Sequence, residues 1–125
     1  MKKKLLFISL LTLMTLSLFA CGGKKDVLTK FEEALKSKNI AYEKVEMAAA
    51  LVGAEKGTKF LIGEGGVELY VFDKGSEAYK TAEKTQKISL SGFGEFPAIV
   101  TDGVAMLVTD LDTATYEAIL RSVLD

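Results

Sequence analysis

The stretch TKFLIGEGGVELYVFD, Thr58 to Asp73, decides the fold. Thr58 to Gly63 and Val67 to Asp73 are dense in Val, Ile, Leu, Phe and Tyr, and Glu64-Gly65-Gly66 separates them. That is the pattern of a β-hairpin with a glycine turn. Val67, Leu69 and Val71 alternate onto one face, while Glu68, Tyr70 and Phe72 make the other face only half polar and open to partial cover. Ser76 then stands where it can cap a helix from Glu77 to about Gln86. Its apolar residues are few, Ala78, Tyr79 and Ala82, which places that helix on the surface of a core.

The same pattern returns 37 residues downstream, where Lys59 to Tyr79 aligns on Phe96 to Tyr116 without a gap. Ile62/Ile99, Gly66/Gly103, Val67/Val104, Val71/Val108, Asp73/Asp110 and Tyr79/Tyr116 coincide. Asp102-Gly103 suits the positive φ angles of a type I′ turn, which sets Thr101 against Val104 and puts Ile99, Met106 and Val108 on one face. Asp112 is a candidate helix cap, Leu111 can pack on Tyr116 as a hydrophobic staple, and Tyr116, Ile119, Leu120, Val123 and Leu124 form an amphipathic stripe. A ββα unit used twice, residues 59–79 and 96–116 with each continuing into a helix, predicts an α+β domain. Its sheet is expected to have four mainly antiparallel strands with the helices on one face, and Val71 and Val108 should match in burial.

Upstream, Asp26 can cap a helix over about 27–38, with Val27, Leu28, Phe31, Ala34 and Leu35 on one face and Asn39 near its end. Val45 to Ala54 contains Met47-Ala48-Ala49-Ala50-Leu51-Val52, whose alanines favour a second, buried helix over a buried strand. Two N-terminal helices therefore precede the repeat in this reading. A short strand is expected at Ile88 to Leu90.

At the start of the chain, Lys2, Lys3 and Lys4 precede an apolar or hydroxyl run from Leu5 to Phe19 and then the small residue Ala20. Basic region, short apolar region and small residue form the order of a secretory signal. The run is shorter than the roughly 20 residues needed to span hydrocarbon. Leu18-Phe19-Ala20-Cys21 resembles the lipobox of bacterial lipoproteins, although Phe19 is bulkier than the residue usual at its place. The resemblance implies that residues 1–20 are a signal peptide and that Cys21 becomes the lipid-modified first residue. Residues 21–25 are then the acylated Cys and a short linker, and 26–125 a single α+β domain. The expected location is the cell envelope, outside the cytoplasm and held on a membrane by the lipid.

Of the chain's 16 basic residues 13 remain once Lys2, Lys3 and Lys4 leave, against 17 acidic ones, so the mature chain carries −4. Nucleic-acid binding has no electrostatic support in that balance. There is no histidine, and Cys21 is the only cysteine. The usual zinc sets, imidazole bases and thiol nucleophiles are thereby removed, and neither a metal nor a cofactor is expected. Carboxylates, lysines and hydroxyls remain. Asp73 and Asp110 end equivalent strands and form a candidate carboxylate pair if the units lie side by side, though each also suits a plain strand end. Gly63-Glu64-Gly65-Gly66 joins two strands and precedes no helix, so it is a turn and not a phosphate loop.

Phe93, Glu95, Phe96 and Pro97, in Gly92-Phe93-Gly94-Glu95-Phe96-Pro97, are the candidate partner-contact residues, since aromatics among glycines match neither strand nor helix spacing. The competing expectation is that Phe93 and Phe96 plug the end of the sheet, the commoner fate of large aromatics. Phe96-Pro97-Ala98-Ile99-Val100 with the following strand and helix is similar to the C-terminal half of thioredoxin-like domains. That resemblance implies a redox-inactive version, because no Cys-x-x-Cys is present. The mature chain as a whole looks like small bacterial lipoproteins of no assigned activity. The leading expectation is a lipid-anchored, non-catalytic domain for a protein or small-ligand partner. A carboxylate- or hydroxyl-based envelope hydrolase is the alternative.

Overall fold

The computed structural model describes residues 26–90 and 92–124. The segment expected to be a signal peptide, Cys21 with its expected acylation, and the expected linker lie outside the described residues. In chain order the elements are α1 (Val27–Ser37), β1 (Glu43–Glu46), a short 3-10 turn (Ala49–Val52), β2 (Lys56–Ile62), β3 (Gly65–Val71), α2 (Glu77–Thr85), β4 (Lys87–Leu90), β5 (Gly94–Pro97), β6 (Ile99–Thr101), β7 (Val104–Thr109) and α3 (Thr113–Val123). The fold is α+β. Its main sheet has five strands in the order β1-β2-β3-β7-β6, and β4 and β5 pair as a separate ribbon, so the four-stranded expectation is corrected. All five strand pairings are antiparallel.

The fifth strand takes the place of the expected second N-terminal helix. Val45 lies opposite Lys59 and Glu46 opposite Thr58, so residues 47–55 have only to join two antiparallel neighbours. A ten-residue helix would carry the chain about 15 Å along its axis, and that connection has no room for it. One turn of 3-10 helix forms instead and stops at Gly53, with φ +79. Only Val52 of it is buried, and Leu51 is 49% exposed.

Both faces of the main sheet are apolar, and this makes three layers. On one face Phe60, Ile62, Val67, Leu69, Val104 and Met106 pack against Phe31 and Leu35 of α1 and Tyr116, Ile119 and Leu120 of α3. On the other face Tyr70, Phe72, Val100 and Ala105 pack against Val52, against Tyr79 and Ala82 of α2, and against Ile88 of β4. The period of two along β3 sends Leu69 to the first core and Tyr70 and Phe72 to the second. Each full burial of such a side chain is worth about 1.5–3 kcal/mol. The helices therefore do not share a face: covering the Tyr70/Phe72 side requires α2 there.

The two aligned segments correspond at the centre of the sheet and diverge at the strand ends. β3 and β7 pair with Leu69 opposite Met106, two residues that are themselves repeat equivalents. A local two-fold axis normal to the sheet passes through that pair. Equivalent Val67 and Val104 are both buried, and equivalent Val71 and Val108 are both half-buried. The turns break the symmetry, because the first hairpin turns at Gly63-Glu64 and the second at Asp102-Gly103, which are not aligned positions. Gly65 and Gly66, expected in the turn, belong to β3. A normal two-fold keeps helices on one face, so α2 and α3 lie outside the symmetry altogether.

Local capping follows the residues. The Thr29 N–H donates to the Asp26 carboxylate at 2.9 Å, and the Tyr79 N–H donates to the Ser76 hydroxyl at 3.2 Å. Asp112 stands at the N-cap of α3 but makes no cap bond to the backbone; its carboxylate accepts from the Thr115 hydroxyl.

Candidate contact site

The β4–β5 ribbon begins where α2 ends, and the junction is held by Gln86. This residue adopts the left-handed conformation at φ 55, a place that favours Gly or Asn. Its side-chain amide closes on the edge of the main sheet: Nε2 donates to the Val100 carbonyl at 3.0 Å, and Oε1 accepts from the Val100 N–H at 3.0 Å. Nε2 also donates to the Glu83 carbonyl at 2.9 Å, and the Ala98 N–H donates to the Gln86 carbonyl at 3.0 Å. A side chain thus supplies what the next strand would have supplied along β6. Nothing in the pattern of apolar residues points to Gln86; its one signal is being neither Gly nor Asn at a helix end that runs straight into a strand.

From that junction Lys87 pairs with Pro97, Ile88 with Phe96, Ser89 with Glu95 and Leu90 with Gly94. Ile88 is buried and Leu90 half-buried in the second core, so β4 anchors the ribbon while β5 stays exposed along its length. At the tip the Phe93 N–H donates to the Leu90 carbonyl at 2.8 Å, with Gly92 at φ 85 and Gly94 at φ 104. Neither glycine tolerates a β-carbon without backbone strain. Phe93 is 74% exposed and Phe96 38% exposed, and Glu95 and Pro97 are exposed beside them. The expectation that the two phenylalanines plug the sheet is corrected: Tyr70, Phe72 and Ile88 already fill that core, leaving Phe93 and Phe96 outside. The structure thus places Phe93, Glu95, Phe96 and Pro97 on one solvent-exposed segment of the ribbon.

Asp73 and Asp110 are not brought together. They follow β3 and β7, which run antiparallel, so they sit at opposite ends of the sheet, about 27 Å apart at the rise of a strand. Asp73 accepts the Gly75 N–H at 2.9 Å through its carboxylate, shaping the turn into α2. Asp110 takes φ 56 beyond β7. Each is a strand-end residue.

Carboxylate–tyrosine contacts occupy other parts of the surface. The Tyr42 hydroxyl donates to Glu32 at 2.5 Å, and Lys44 Nζ donates to the other oxygen of Glu32 at 3.0 Å, tying β1 to α1. The Tyr42 bond, with Lys44 and Lys36 behind it, holds the Glu32 carboxyl below its usual range; partial burial and Glu32 push the Tyr42 phenol up to about 12. Across the sheet Tyr70 donates to Glu68 at 2.6 Å, and burial together with Glu68 raises that phenol as well. Tyr79 accepts the buried Gly103 N–H at 2.8 Å and donates to Glu83 at 3.2 Å, and burial raises its phenol. All three phenols stay protonated near neutral pH and act as donors that lock elements together. Among the described residues no three His, Cys, Asp or Glu side chains are grouped to hold a metal, and no helix is long and apolar enough to cross a membrane.

Comparison with protein-family models, with curated proteins and with solved structures finds no match to the chain.

Proposed function

We propose that the chain is a lipid-anchored lipoprotein of the cell envelope whose single domain, residues 26–125, binds a protein partner through the β4–β5 ribbon and catalyses no reaction. The observation that carries the reading is Phe93: a phenylalanine 74% in solvent, at the tip of a ribbon whose base is tied by Gln86 and Ile88. Exposed aromatics are the residue type from which interfaces draw most energy, and a rigid base lowers the entropy lost when they dock. The hydrolase alternative loses its best carboxylate pair with Asp73 and Asp110 at opposite ends of the sheet. The antiparallel pairing of every described strand counts against the thioredoxin-like alternative, whose other half is βαβ.

Anchoring rests on the order of Lys2 to Lys4, Leu5 to Phe19, Ala20 and Cys21. Replacing Cys21 with Ser is expected to release the mature chain from membranes without changing its melting temperature. One acyl chain binds only marginally, so retention implies at least two. Fractionation of both forms, with the mass of the mature N-terminus, decides it. A Ser variant that still partitions with membranes after signal removal overturns the anchoring.

A further inference from the structure

We infer that the partner lays an extended segment along the free edge of β5 as a third, antiparallel strand, with a basic residue opposite Glu95. This rests on the ribbon contact proposed above and gives the conformation and charge of what binds there. Among the described residues β4 is the only strand that pairs with β5, and Gly94, Glu95, Phe96 and Pro97 are all exposed. β4 itself lies beside α2 and the 3-10 turn, so the open edge of the ribbon is β5. The outer strands of the main sheet are less inviting. Gln86 closes β6 at Val100, and β1 carries Glu43, Lys44 and Glu46 within four residues, a charged edge of the kind that discourages pairing.

The pairing of the ribbon decides which backbone groups β5 holds outward. The Ala98 N–H donates to the Gln86 carbonyl at 3.0 Å, and the same register continues to Ile88 with Phe96 and Leu90 with Gly94. Bonded and unbonded pairs alternate along an antiparallel ladder, so Lys87 with Pro97 and Ser89 with Glu95 are the unbonded ones. The N–H and C=O of Glu95 therefore point away from β4, as does the C=O of Pro97. Pro97 has no N–H to offer, and the Phe93 N–H is already given to the Leu90 carbonyl at 2.8 Å. Glu95 is thus the one residue of β5 that presents both a donor and an acceptor, which fixes the register of an incoming strand. An extended backbone is the group that answers both at once. Among the described residues the Glu95 carboxylate makes no hydrogen bond or ion pair. A basic residue directly opposite it adds to binding and an acidic one subtracts. A second copy paired about this point would set Glu95 against Glu95, so charge selects a different chain. Phe96 lies on the other face of β5, where it meets the two neighbours of the basic residue and favours apolar ones.

The test titrates the isotope-labelled full chain with the capped pentapeptide Thr-Val-Lys-Val-Thr and reads amide shifts and hydrogen exchange by NMR. Saturable binding is expected to slow exchange of the Glu95 amide at least severalfold while leaving that of Phe96, already bonded to β4, unchanged. Replacing the peptide's Lys by Glu should weaken binding severalfold, and Glu95→Gln should remove that preference while keeping the binding. Methylating the amide nitrogen of the peptide's Lys should abolish binding, whereas methylating that of either Val, which faces away from β5, should be tolerated. No saturable binding at millimolar peptide, an unprotected Glu95 amide, or indifference to the methylated position overturns strand addition. So does protection of Glu95 that grows with protein concentration alone, which would make a second copy the occupant. These failures leave the ribbon contact standing if a photo-reactive residue at position 93 still captures a partner; loss of that adduct overturns the contact itself.

Discussion

Gln86 is exposed, yet its loss is expected to cost as much as a core truncation. Gln86→Ala removes three side-chain hydrogen bonds at once, two of them to the backbone of Val100, which is 5% exposed. If water reaches Val100, each lost bond costs about 1 kcal/mol; if it does not, each orphaned backbone group costs about 1–3 kcal/mol. The two Val100 bonds alone set the loss at about 2 kcal/mol or more. For a domain of this size that lowers the melting temperature by about 10 °C. Ala also keeps the strain at φ 55, whereas Gln86→Gly relieves about 1 kcal/mol of it, so the Gly variant should be the more stable of the two. Urea unfolding of both variants beside Lys84→Ala, an exposed residue on the same helix, measures the effect. A Gln86→Ala protein within about 0.5 kcal/mol of the parent, the range of ordinary surface changes, refutes the claim that this amide closes the β6 edge.

Gly65→Ala should destabilise by about 1–3 kcal/mol, because a β-carbon there would sit 2.4 Å from the Thr109 carbonyl and 2.7 Å from that of Asp110, neither of which yields easily. Thermal unfolding checks it, with Gly63 left intact as the residue that makes the turn. Tyr42→Phe should cost about 1 kcal/mol at pH 7 and flatten both ends of the pH–stability curve. Glu32 titrates below its ordinary 4.5 when folded, so its contribution is complete above that pH and is lost as pH falls through the lower folded value. The Tyr42 phenol titrates above its ordinary 10.0, so its contribution is complete below that pH and is lost as pH rises through about 12. Denaturant midpoints across pH 3–12 for the parent and the variant read both slopes.

The α+β class, α1, α2, α3 and both main-sheet hairpins are legible because caps and periods agree: Asp26, Ser76 and the Tyr116–Leu120 stripe all lie where the structure uses them. β1 is not legible, since Glu43-Lys44-Val45-Glu46 is an edge strand with every residue exposed, a place where pairing partner and not side-chain pattern selects the conformation. Ala48 to Leu51 read as helix from propensity, and the short tether to β2 overrides it. The face of each helix was hidden for another reason. The symmetry of the repeat holds at Leu69 and Met106 but cannot carry α2 to the Tyr70/Phe72 side, which only the apolar character of that second face demands. Gathering Phe93 to Pro97 on one segment was legible; their exposure follows from how completely other side chains fill the second core.

The central claim is that Phe93 touches a partner, and photo-crosslinking in intact cells tests it most directly. The full chain carrying p-benzoylphenylalanine at position 93 is compared with one carrying it at position 64, an exposed turn on another part of the sheet. Phe93 is three-quarters solvent-exposed, so Phe93→Ser should cost no more than about 0.5 kcal/mol and serves as a folded competitor lacking the contact. The account predicts a discrete adduct from position 93 that is absent from position 64 and is not competed by the Phe93→Ser protein. No adduct from position 93, or the same adducts from both positions, contradicts it.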